Sequence, residues 1–360
     1  MPLPTFKKFR IAFKGVSLKL VLTNFPKYYS LLCGNFAKSD DGNGNFIETE
    51  SYEMGFASHY DSQLRPHIKK FELARLTALQ QLRLRSFWAI PLVTLLLVAG
   101  AYFMSEHIFF YVIMIAILIS AAWWWVGRSV IAYKMSIKSN IFPLILSFLG
   151  DYKYTAETGR RIDQFAASKI IPSYDNEYSE DRIVGEHKGV EIDLFETHLT
   201  EEQGSGNSSK TVTKFKGMVI SLGMKKAFKG QTIVRKDSGR VTKWITDKFS
   251  NLNIVHLEDP NFEKEYDVYS SDQVEARYLL TPTFMERLMN LRRAYKGEEI
   301  ECSFFDDQLF MMISISRDLF EPGSIFEPED FIDDSKNLLT EMAGIFQIVD
   351  TLRLDLDIGL

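Results

Sequence analysis

The sequence predicts an α+β protein: a two-helix transmembrane hairpin followed by a cytoplasmic domain with a mostly antiparallel sheet and flanking helices. Three observations carry this. Two uncharged runs, Phe87–Met104 and Ile108–Val126, are separated only by Ser105, Glu106 and His107. At about 1.5 Å per residue, each is long enough for a hydrocarbon core of roughly 30 Å. From about Arg161 onward, β-branched runs alternate with short polar connections, the pattern of consecutive strands. Charge also sorts by segment: residues 1–86 carry net +6, the hairpin −1 and residues 128–360 net −10.

The chain opens with a basic segment, residues 1–60, of which 1–38 hold seven Lys and Arg and no acid. Phe6, Phe9, Phe13, Val16 and Leu20 fall on one helical stripe with lysines off it. That suits a helix lying on an anionic leaflet, or one packed on the rest of the protein. "SDDGNGNFIETE", Ser39–Glu50, fits a calcium-loop register, with Asp41, Asn43 and Glu50 as candidate ligands and Gly44 at the sharp turn. Ser39 at the first position and the lack of a second loop favour a flexible turn instead. Lys19 interrupts the short apolar stretch "VSLKLVL", so no secretory signal is expected.

Residues 61–86 read as an amphipathic helix with Leu64, Ile68, Phe71, Ala78 and Leu82 on one face, continuing into the hairpin at 87–127. Trp88 and Trp123–Trp125 sit where aromatic belts lie. Arg75, Arg83 and Arg85 precede the hairpin, Arg128, Lys134 and Lys138 follow it, and the turn has no Lys or Arg. The positive-inside rule therefore expects both flanks, and both termini, in the cytoplasm. Residues 128–160 read as a juxtamembrane helix interrupted near Pro143. Cys33 and Cys302 are far apart and not at metal spacing, which suits a reducing compartment.

In the domain at 161–360, strands are expected at Arg182–Glu186, Val190–His198, Thr211–Leu222, Thr232–Arg235, Ile254–Leu257, Ile300–Phe304 and Leu309–Ile315. Helices are expected at Ser271–Leu280, Pro282–Tyr295 and from about Pro328 to Leu352, with Thr281 and Pro282 as cap and first turn.

Chemistry has few candidates. "LEDPNFEKEYDVYSSDQVEARYLLTP", Leu257–Pro282, holds seven acids. Most find a structural use: Asp259-Pro260 opens a helix with Glu263 in its first turn, Ser270 and Gln273 cap the next, and Arg277 pairs with Asp272 or Glu275. "GSGNSSKT", Gly204–Thr211, imitates a phosphate loop but precedes a strand-like run where that loop needs a helix. The six histidines are scattered, and no nucleophile–base pair stands out. The stronger signal is basic. Lys214, Lys216, Lys225, Lys226, Lys229, Arg235 and Lys236 belong to a 39-residue span of net +9. Such a block near a membrane suits an acidic protein partner or anionic lipid. Nucleic acid is the weaker ligand because no binding signature accompanies the charge.

"FKGMVISLGMKKAFKGQTIV", the Leu257–Leu288 block and "SFFDDQLFMMISISRDLFEP" resemble the bacterial membrane proteins catalogued as domain of unknown function 3137. The resemblance covers about Ser86 to Leu354 and leaves residues 1–60 unmapped. It implies two membrane helices, a cytoplasmic α+β domain, no established activity and, through genes near the LemA membrane family, an envelope role. No catalytic residue carries over. The expectation is thus a multi-pass inner-membrane scaffold or interaction module, without a cofactor unless calcium binds. The alternative is a metal-dependent enzyme using the acidic 258–275 cluster.

Overall fold

A computed structural model describes residues 25–34, 44–103, 108–204, 210–224, 227–236, 251–295 and 299–352. They fall into two compact units: those up to Ile145 with Pro322–Lys336, and Leu146–Glu321 with those from Asn337 on.

In the first unit, α1 (Phe25–Leu32) is followed by α2 (Phe56–His59), which passes through a π turn, Tyr60–Leu64, into α3 (Arg65–Phe103). The antiparallel return is α4 (Ile108–Asn140), then the short α5 (Phe142–Leu146). Leu64, Ile68, Phe71, Ala78 and Leu82 are all buried, as their helical spacing requires. Farther along, the helices change character: Leu92, Leu95, Val98 and Ile117 are each more than half exposed. Both helices are long and apolar enough to cross a membrane, where a helix satisfies its own backbone. Gly100 permits a close approach near the turn, since a Cβ there would lie 2.4 Å from the Tyr111 ring. Tyr111 also donates to the Leu97 carbonyl. Small residues at such a crossing are the usual route to tight helix packing in lipid.

Pro322–Lys336 forms a strap across the base of these helices. The buried Arg75 guanidinium donates to both Glu72 carboxylate oxygens at 2.7 Å and to the Ile325 carbonyl at 2.9 Å. Phe71 meets Phe331 edge-on at 5.5 Å, and Tyr60 donates to the Asp330 carbonyl at 2.6 Å.

The second unit is built on nine strands: β1 (Lys153–Glu157), β2 (Asn176–His187), β3 (Val190–Gln203), β4 (Lys210–Gly223), β5 (Thr232–Lys236), β6 (Asn253–Ile254), β7 (Tyr266–Ser270), β8 (Ile300–Phe305) and β9 (Gln308–Ser314). They form one sheet in the order β1-β2-β3-β4-β9-β8-β5-β7-β6, and every neighbouring pair is antiparallel. Among them lie α6 (Pro260–Glu263), α7 (Gln273–Leu279) and α8 (Pro282–Ala294), and α9 (Ile332–Leu352) ends the described chain. The α+β class is as expected: two long apolar helices, then an antiparallel sheet with helices. One sheet face buries Phe195, Phe215, Val219, Ile233, Phe310 and Met312 against Ile162 and Phe165. Residues on the other face meet helices, as where Phe304 of β8 packs 5.6 Å from Phe284 of α8. In the middle of the sheet β4 and β9 touch backbone to backbone at Gly217, where a Cβ would lie 2.0 Å from the Ile313 oxygen.

Three local expectations need correction. The juxtamembrane helix expected over residues 128–160 stops at Leu146, and Lys153–Glu157 is β1, paired with Glu180–Val184. Tyr266–Ser270 is a strand that the acids around it disguised, although Tyr266, Val268 and Ser270 alternate inward. The cap of α7 is Asp272, which accepts from Val274 and Glu275, and not Ser270. Ser270 instead accepts from the Asp272 amide at 3.1 Å, which orients that cap.

Candidate functional site

The acid-rich stretch resolves into structural roles. Asp259 accepts from the Asn261 and Phe262 amides and so caps α6. Glu263 accepts from the Leu257 amide at 2.7 Å and lies 3.5 Å from His256. Glu265 pairs with Arg292. Glu275 accepts from the amides of Lys229 and Gly230 at 2.9 and 2.8 Å. Arg277, expected beside Asp272 or Glu275, instead lies against Gln273. Acids spread over caps, turns and pairs in this way do not converge on one point, which a metal or acid–base pair requires.

The basic candidates are divided by the pleat. Alternation puts Lys216 and Lys236 on one sheet face and Arg235 on the other, while Lys214 is the extra residue where the β3–β4 register shifts. Lys214 pairs with Glu201 at 2.8 Å and Lys216 with Asp318 at 3.0 Å. Arg235 pairs with Glu301 at 2.9 Å and Lys236 with Glu299 at 2.6 Å. Lys214, with Gln203 and Ser173, holds the Glu201 carboxyl down at about 2. Lys229 is exposed, whereas Lys225 and Lys226 lie outside the described residues.

Glu275 binds the Lys229–Gly230 turn to the first turn of α7. That helix carries Val274 (78% exposed) and Tyr278 (52% exposed) one turn apart, so they share a face. Lys229, Val274 and Tyr278 therefore bring exposed cationic and apolar groups onto one turn–helix junction.

Of the calcium-loop candidates, Asp41 and Asn43 lie outside the described residues and Glu50 is exposed at the start of a 3₁₀ turn. Arg65 already donates to the Gly44 carbonyl and Asn45 Oδ1, at 3.3 and 3.2 Å. The buried Phe46 packs 4.7 Å from Phe56, which gives the loop's apolar position a structural use. In "GSGNSSKT", residues 205–209 fall outside the described set, and β4 follows from Lys210. A strand there supplies no helix N-terminus for a phosphate.

Two acidic groups escaped the sequence reading. Glu180, Asp181 and Glu196 can each bring a carboxylate oxygen within 4.8 Å of the other two. Pairing of β2 with β3 sets Glu180 opposite Glu196, and an irregularity after Glu180 turns Asp181 inward with φ +55°. Tyr178 donates to Glu180 and Tyr154 to Asp181. Three such carboxylates repel unless a proton or a cation is shared among them. These are the described residues best placed to hold a metal. The second group is in the strap, where Tyr133 donates to Glu329 and the Gly323 amide to Asp334. Burial pushes both carboxyls up, Glu329 further by the charge of Asp334 and Asp334 by that of Asp333. In sequence, only the aromatic and aliphatic neighbours in "IFEPEDFI" hint that these acids are inside.

Residues 213–354 match the family model described as Protein of unknown function (DUF3137), the family that the sequence resembles. No curated protein matches. Among solved structures, the chain is similar to the "crystal structure of the mycobacterial trehalose monomycolate transport factor A, TtfA". The identity is 10% and the TM-score 0.30, over 59% of this chain and 93% of that one. A likeness that slight bears on neither fold nor function.

Proposed function

We propose that residues 213–354, the part that matches the family of unknown function, belong to a membrane-anchored scaffold or interaction module. In this reading the hairpin crosses a bacterial inner membrane with both flanks cytoplasmic. The sheet domain recognises an envelope-associated protein through the junction of the Lys229 turn and α7. The observation that carries the reading is the exposed pair Val274 and Tyr278, one turn apart beside the exposed Lys229. Interfaces favour aromatic anchors rimmed by charge, so the expected partner segment is acidic and apolar. Lys225 and Lys226 are close by in sequence and lie outside the described residues. An anionic lipid surface is the weaker occupant, because four strand cations are already committed to carboxylates. The reading assigns no reaction to the 258–275 acids and no calcium to the 39–50 loop.

The test is crosslinking and co-purification from membranes, comparing the native chain with Lys225→Glu/Lys226→Glu and, separately, Tyr278→Ala. A partner lost from both variants, each still in the membrane, supports the module. An unchanged partner set removes this junction from the argument.

A further inference from the structure

We infer that the cleft between α3 and α4 is a lipid site, holding one acyl chain of an anionic phospholipid with its headgroup between Arg85 and Arg128. The inference rests on the reading that the hairpin lies in a bilayer. A cavity of about 360 Å³ opens there, lined by one side of each helix, between Leu82 and Thr94 and between Ile119 and Val130, with Tyr28, Ile325 and Phe326 at the base. That volume falls within the usual range for small-molecule pockets. Leu82 and Thr94 stand twelve helical steps apart, which gives the cleft a length of about 18 Å.

Its polarity runs lengthwise. Toward Thr94 and Ile119 the walls are Val93, Ile90 and Ala122, with no charged group among the lining residues. About one turn in from the Leu82 end, the Tyr28 and Ser86 hydroxyls meet at 2.6 Å. Arg85 and Arg128 do not line the cleft; they are the sequence neighbours of its lining residues Ser86 and Gly127. Arg85 donates to the Trp125 carbonyl at 3.2 Å and its guanidinium lies 6.0 Å from the Trp125 ring. Arg128 lies 4.9 Å over the Trp124 ring. Neither arginine makes an ion pair among the described residues. Two cations beside tryptophans at the end of a membrane run sit at headgroup level. A slot that is apolar inside and cationic at its mouth complements an anionic amphiphile. A second helix would cover the apolar walls and leave both charges unmatched.

The experiment uses the full chain in detergent with added phosphatidylglycerol or phosphatidylcholine, bound lipid being counted by native mass spectrometry. One phosphatidylglycerol per chain is expected, retained in preference to phosphatidylcholine. Val93→Trp, which fills the slot, should abolish it. Arg85→Gln and Arg128→Gln, outside the slot, should each weaken phosphatidylglycerol about fivefold, the effect of one cation near an anionic headgroup. They keep the test valid if Val93→Trp fails to insert. Native chain that is extracted from membranes by alkaline carbonate would sink the membrane reading itself. Native chain that resists extraction but binds no phosphatidylglycerol, or binds it equally after Val93→Trp, overturns the lipid site alone. So does a crosslink through Val93 between two copies, which would assign the cleft to a dimer.

Discussion

The stretches Leu257–Pro282 and Glu321–Lys336 are both crowded with acids, yet they use them in opposite ways. In the first, Asp259 and Asp272 point their oxygens at backbone amides that open α6 and α7. A carboxylate there serves best when charged, at the positive end of a helix. In the second, Glu329 and Asp334 are drawn inside beside Tyr133, and burial raises both carboxyls. The count of acids is a poor guide to chemistry; what matters is whether amides, cations or apolar groups receive them.

The largest expected effect breaks the anchor beneath the buried pair. Arg75→Ala leaves Glu72 buried without its cation and frees the Ile325 carbonyl. Removing one partner of a buried pair costs about 3–5 kcal/mol. Thermal unfolding in detergent should show that loss, with proteolysis opening the strap first. A loss below about 1 kcal/mol would show the pair to be no stronger than a surface one.

The second effect is on pH dependence. Glu329 is pushed up to about 8 and Asp334 to about 6, above their unfolded values of 4.5 and 3.8. A carboxyl whose pKa is raised by folding binds its proton more tightly in the folded state. Its stabilisation is therefore complete below the unfolded value and declines as pH rises, by at most about 1.4 kcal/mol per unit and group. For Glu329 the decline runs from 4.5 to about 8. The groups around this pair are Tyr133 and Lys134 of α4, Arg75 of α3, and Asp330 and Asp333 of the strap itself. Glu329→Gln should flatten the decline and raise the melting temperature at pH 8 but not at pH 5. Equal slopes in the two proteins would place the titration elsewhere.

The smallest effect belongs to the other stretch. Asp272→Ala removes one cap and should cost about 0.5–2 kcal/mol, with no change in divalent-metal binding by calorimetry. Loss of metal binding without loss of stability would restore the enzyme reading of 258–275.

What the sequence displayed depended on how local the cause was. The hairpin was legible because a charge-free run needs no partner to declare itself, and the buried face of α3 because its spacing matches one helix. Thr281 and Asp259 announced α8 and α6 through short-range capping chemistry. β1 and β7 were hidden because pairing partners far along the chain decide them. Glu180 and Glu196 are 16 residues apart and meet only through cross-strand register. Arg235 and Lys236 looked like one surface until the pleat and their carboxylates were in place. The strap's buried acids depend on α3 and α4, which lie some 200 residues or more upstream.

That distance has a consequence for synthesis. Arg75 finds its acceptor on Ile325, 250 residues later, and the chain between must emerge first. At about 5–20 residues per second, the ribosome takes roughly 12–50 s over that interval. For that time the base of the hairpin stands open in every nascent molecule, and a chain that terminates before Pro322 never closes it. The strap thus acts as a completion mark: only a chain extended through Lys336 can cover the base of α3 and α4.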